Sequence, residues 1–110
     1  MTGVYILLDN DYNLAKIGHT TQLHTRLNNL RSDYNFNLSE SLFLSTSSPI
    51  RLEHTLHFIL NEFQCNHPRT KAIGYTEFYN QSDNFFDAIN IFLDKYQEQK
   101  KFVIYDLKKF

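Results

Sequence analysis

A chain of 110 residues with 42% hydrophobic residues holds one domain and buries enough surface, about 60 to 70% of what the unfolded chain exposes, to fold without disulfide support. Aromatic residues at 15%, with only three Gly and two Pro, exclude the collagen-like, linker-like and disordered classes, and no apolar run reaches the ~20 residues that cross a bilayer. The net charge of −1 removes the global positive surface of a nucleic-acid binder and leaves a local cleft, for which Lys16, Arg26, Arg31, Arg51, Arg69 and Lys71 are available.

Val4 to Leu8 and Leu14 to Ile17 are short apolar runs, and the turn formers Asp9-Asn10-Asp11-Tyr12-Asn13 between them predict an N-terminal β-hairpin. Leu23, Leu27 and Leu30 then recur at helical spacing behind Thr20 or Thr21 as cap, which predicts a helix ending near Ser32. Leu42, Phe43 and Leu44 form a run too short for a helix, so Ser41 to Ser45 is expected to be a third strand of the same sheet. Ser48-Pro49 opens a second helix, striped by Leu52, Leu56, Ile59, Leu60 and Phe63. Gln64 to Ile73 is polar, broken by Pro68 and read as a loop, and Tyr75 to Tyr79 is a short extended piece.

Ser82 caps a last helix carrying Phe85, Phe86, Ile89, Phe92, Leu93 and Tyr96, and the tail from Phe102 to Leu107 reads as a further strand or an extension. This order predicts an α+β fold, a small three-stranded antiparallel or mixed sheet flanked by helices, with a core over about residues 1–80 and a C-terminal helix and tail over 82–110. The single cysteine, Cys65, and the absence of a basic, cleavable leader point to an intracellular protein with no membrane partner. A Gly-rich phosphate loop, paired cysteines and Gly-x-Ser-x-Gly are all missing, which argues against most cofactor enzymes.

Two tripeptides sit on the hairpin, Gly3-Val4-Tyr5 and Lys16-Ile17-Gly18. Strand alternation turns Val4 and Ile17 to the core and sets Tyr5 and Lys16 together on the other face. On residues alone this is an ordinary hairpin with a Tyr and a Lys on its wet side. Arg26 alone reads as a solvated helix charge, and Glu53, at the polar edge of the second helix's stripe, as a partner for His57 at i+4.

The ordered set changes that balance. Gly3-Val4-Tyr5, Lys16-Ile17-Gly18-His19-Thr20, Arg26-Leu27, Glu53 with Leu56-His57, and Gly74-Tyr75-Thr76-Glu77-Phe78 together resemble the GIY-YIG nuclease superfamily, in the branch with Lys-Ile-Gly as second tripeptide, over the first three quarters of the chain. The resemblance implies metal-dependent hydrolysis of DNA phosphodiester bonds, with Tyr5 at the attacking water, Arg26 on the phosphate and Glu53 holding one Mg²⁺ or Mn²⁺. A phosphodiester gathers negative charge in its transition state, which an arginine and a hard cation stabilise, and carboxylate is the ligand such a cation prefers.

A free phenol, with a pKa of ~10, is a weak base, and the Lys16 ammonium beside it favours the phenolate. Whether Tyr5 takes the proton or only orients the water stays open. The resemblance also assigns Gly18, His19 and Arg31 to the substrate, although an exposed turn is an equal reading of His19. His57 stands behind Glu53, and Glu77 or Asn80 fills the place of a late Asn. Leu30 departs from the polar residue common at its position. The alternative is therefore a catalytically degraded module of the same fold that binds nucleic acid or a protein partner. As an enzyme without an appended recognition domain, the chain is expected to take single-stranded or branched DNA, or to reach duplex as a homodimer or with a partner protein.

Overall fold

The computed structural model describes residues 1–66, 78–97, 99 and 102–109. The hairpin forms as expected from Gly3–Asp9 (β1) and Leu14–Thr20 (β2), in antiparallel register from Gly3 opposite Thr20 to Leu8 opposite Ala15. Its turn is closed by Asp9, whose Oδ1 accepts the backbone N–H groups of Asp11 (2.7 Å) and Tyr12 (3.2 Å), and by Asn13 in the left-handed region at φ 55°. Helix α1, Leu23–Arg31, follows the predicted stripe; its N-cap is Gln22, and Thr20 Oγ1 accepts the Gln22 N–H at 3.0 Å as the chain enters. Helix α2, Pro49–Ile59, starts at the expected proline. In helix α3, Asp83–Gln97, Ser82 Oγ accepts the N–H of Phe85 at 3.1 Å, the predicted cap.

The α+β class holds, and the expected three-stranded sheet is corrected to one of six antiparallel strands among the described residues. On β1 lies Phe36–Ser45 (β3), and on β3 the tail strand Val103–Asp106 (β6). On β2 lies Phe78–Asn80 (β5), and on β5 the strand Gln64–Cys65 (β4), within the stretch read as loop. The order across the sheet is β4-β5-β2-β1-β3-β6. The added strands have two to four residues, too few to display a period of two against background. The ten-residue β3 also starts earlier than expected, and its register on β1 slips between Ile6 and Leu8. There the buried Ser41 hydroxyl accepts the Leu8 N–H at 3.0 Å and donates to the Asn37 carbonyl at 2.7 Å, satisfying the backbone at the irregularity.

Both faces of the sheet are covered. Val4, Ile6, Leu8, Ala15, Ile17 and Leu44 pack against Leu56 of α2, Leu60 just beyond it, and Phe85, Ile89, Phe92 and Leu93 of α3. On the other face Tyr5, Leu7 and Phe43 pack against Leu23, Leu27 and Leu30 of α1 and against Leu107 of the tail. The face expected to be wet is thus a second core, and Tyr5 and Lys16 are each only 1% exposed. A second correction concerns α2. Its inner line is Glu53, Leu56 and Leu60, while Leu52 and Ile59 are half-buried, so Glu53 lies under the helix and not at its polar edge.

Candidate active site

Tyr5 pairs with Gly18 across the hairpin, and its ring lies over that glycine. A Cβ at position 18 would stand 2.3 Å from the phenol oxygen and 2.6 Å from Cζ, so a residue without a side chain is needed for the ring to settle there. Arg26 arrives from α1, one residue before Leu27 and on the flank of the leucine stripe that seats the helix on this face. Its Nε donates to the Tyr5 hydroxyl at 3.3 Å. Lys16 stands two residues before Gly18 on the same face of β2, with its ammonium 4.9 Å from the ring centre of Phe78 and 6.0 Å from that of Tyr34. Two aromatic faces offset part of the cost of removing this charge from water. Arg26, read from the sequence as a phosphate contact, thus sets a cation on the Tyr5 oxygen.

On the other face a polar chain crosses from the core to the surface. The Tyr79 hydroxyl meets His57 Nδ1, His57 Nε2 meets Glu53 Oε1 at 3.2 Å, and Glu53 Oε2 meets His19 Nδ1. Tyr79 is 1% exposed and stacked between His57 (5.5 Å, 24°) and Phe85 (6.1 Å, 25°), so the inner end of the chain is fixed by packing. The outer end, the His19 side chain, is 43% exposed. Burial pushes the Glu53 carboxyl up, but the hydrogen bonds to His57 and His19, with the charge those rings carry, outweigh it and hold the group below its ordinary value. Glu53 is therefore an ionised carboxylate with both oxygens engaged.

The two groups flank consecutive residues at the end of β2, on opposite faces of the sheet. Gly18 belongs to the Tyr5 and Arg26 face and His19, the next residue, to the Glu53 face, because consecutive side chains of a strand point to opposite sides. Arg31 stands apart, exposed in the last turn of α1. Asn80 is exposed and pairs with Leu14, four residues or ~13 Å along β2 from Gly18. Glu77 lies outside the described residues, as do Arg69, Lys71 and residues 74–76 of the aromatic segment. Tyr79 and Tyr34 escaped the sequence reading. Alternation along Tyr75 to Tyr79 carried a signal for the first, since it sends Phe78 toward Lys16 and Tyr79 toward His57.

Among the described residues, no group of three or more His, Cys, Asp or Glu side chains is arranged to hold a metal ion. No described helix is long and apolar enough to cross a membrane. No curated protein and no solved structure matches the chain. The model of the T5orf172 domain matches residues 2–100, and the chain belongs to that family, a small domain found in phage and nuclease-like proteins.

Proposed function

We propose that the chain is a divalent-metal-dependent endonuclease of the GIY-YIG type, hydrolysing DNA phosphodiester bonds. The observation that carries this reading is the Tyr5 phenol held by Arg26 over Gly18, with an ionised Glu53 joined to the same strand end through His19. The T5orf172 family, found in nuclease-like proteins, supports it.

Each residue has a chemical task. Tyr5 acts on the attacking water, and the guanidinium at its oxygen stabilises the charge that develops as a proton is taken. The guanidinium carries five N–H donors in a fixed fork, so Arg26 can serve the phenol and a non-bridging phosphate oxygen together. Glu53 would hold the Mg²⁺ or Mn²⁺. Its carboxylate suits one such ion: His57 would keep Oε1, the 43% exposed His19 would have to turn from Oε2 to admit the ion, and water and phosphate oxygens would complete the shell of a hard cation. When bound, the ion stabilises the charge on the phosphate and on the leaving 3′ oxygen. Tyr79 and His57 keep the carboxylate aimed while His19 moves.

A degraded module that binds nucleic acid or a protein is the second reading, favoured by Leu30, a 5% exposed core residue where a polar group is common, and by the distance of Asn80 from Gly18. Nicking of plasmid and of labelled single strands with Mg²⁺ or Mn²⁺ separates the two. The endonuclease cleaves and Glu53→Ala does not. Binding by the parent without cleavage under either metal supports the module instead.

A further inference from the structure

Of the large apolar side chains among the described residues, Phe58 is the most exposed at 85%, and Ile50 of the same helix is 56% exposed. Both belong to the outer side of α2. Ile50, His54 and Phe58 follow at i, i+4 and i+8, with Arg51 beside them, and they flank a shallow hollow of about 810 Å³ that Ser48 and Thr55 also line. Among the described residues no acidic side chain borders that hollow, although the chain as a whole carries a net charge of −1. The stripe sets the Arg51 cation and the His54 imidazole among exposed apolar groups on one helix.

We infer that this outer stripe of α2 is a docking face for single-stranded nucleic acid, with Phe58 as the stacking platform and Arg51 as a phosphate contact. Cationic and hydroxyl groups beside an exposed aromatic ring complement a ligand that offers planar bases and a charged backbone together. In a duplex the base faces are already stacked, which favours a single strand. A second copy is the weaker occupant, because a two-fold contact along so short a stripe brings the Arg51 cation close to its own counterpart. From Ile50 to Phe58 the helix rises ~12 Å, room for a short run of nucleotides. Glu53 lies on the inner line of the same helix, turned from the stripe, so the docking face is set apart from the proposed scissile phosphate. This docking face rests on the nuclease reading and narrows its substrate to single-stranded DNA or single-stranded ends.

The test is fluorescence anisotropy of a labelled oligothymidylate and a labelled duplex of equal length, in EDTA so that nothing is cleaved. Phe58→Ala, which removes an exposed ring and melts like the parent, should weaken oligothymidylate binding about 5- to 100-fold and leave duplex binding unchanged, while Phe58→Tyr keeps parental affinity. Arg51→Ala should lower the slope of log K against log salt by about 0.7. Equal oligothymidylate affinity of Phe58→Ala and parent overturns the docking face, and if the parent still cleaves with metal the nuclease reading survives that result. Loss of binding in Phe58→Ala by a parent that never cleaves supports the docking face and overturns the nuclease. A parent that self-associates through Phe58 and ignores the oligonucleotide assigns the stripe to a second copy and overturns the inference.

Discussion

Gly18→Ala tests the contact on which the site is built. The added methyl would lie 2.3 Å from the Tyr5 oxygen and 2.6 Å from Cζ, against 3.4 to 4 Å for ordinary contact, so the phenol must retreat by about 1 Å. Tyr5 is 1% exposed and walled by Leu7, Leu23, Leu27 and Phe43, which leaves little room to retreat. Overpacking of this kind costs about 1 to 3 kcal/mol, or a fall in Tm of about 4 °C per kcal/mol for a domain near this size. The functional loss is larger in proportion. The Arg26 contact is already 3.3 Å long, and moving the phenol by an ångström breaks it; misplacing a reacting group by that much costs on the order of 100-fold in rate. Thermal melts and single-turnover cleavage of a labelled strand measure the two effects on one preparation. Adding Tyr5→Phe removes the nearest atom, so the double variant should regain part of the Tm and none of the rate. Parental stability and rate in Gly18→Ala would refute the packing argument and with it the role given to Gly18.

Three further outcomes follow from the Glu53 chain. Glu53→Ala should lose cleavage and also cost about 1 to 3 kcal/mol, because two imidazoles lose a buried acceptor, and a variant as stable as the parent would contradict the hydrogen bonds described. The folded Glu53 carboxyl titrates below its ordinary value of 4.5, so its contribution is complete above that pH and fades as pH falls through the lower folded value. The Tm difference between parent and Glu53→Gln should therefore be full near about pH 7 and shrink only once the pH falls below 4.5, and a difference constant with pH would contradict the ionised state. Tyr79→Phe keeps both ring stacks and removes the hydroxyl from His57; Mn²⁺ affinity, read by calorimetry, should fall about 10- to 100-fold with the melt little changed, and unchanged affinity would leave Tyr79 a packing residue.

How far the sequence could be read depended on the range of the interactions involved. The hairpin, α1, the start of α2 and the cap of α3 were legible because each rests on neighbours within a few residues: Asp9 on its own turn, Pro49 at a helix start, Ser82 on Phe85. The burial of Tyr5 and Lys16 was not, because alternation along one strand reports two faces without saying what covers either. The cover over Tyr5 comes from Leu23, Leu27, Leu30 and Leu107, and the rings over Lys16 from Tyr34 and Phe78. Glu53 looked like an edge residue because its burial is compensated by His19, 34 positions away, and through His57 by Tyr79. The edge strands β4 and β6 need partners already in place before their few residues extend, which is information held by the sheet and not by the segment.

The central claim is that the hairpin carries the chemistry through the Tyr5 oxygen. Tyr5→Phe keeps the ring over Gly18 and gives up only the hydroxyl and its contact with Arg26, so the variant should melt close to the parent. Single-turnover cleavage of a labelled single strand with Mg²⁺ or Mn²⁺, run for parent and Tyr5→Phe across the pH range in which both stay folded, is the most direct measurement. The parent should cleave, and the rate should be lower by at least ~100-fold in Tyr5→Phe at every pH. Parental rates in the variant would contradict it, leaving the phenol as packing and moving the chemistry elsewhere.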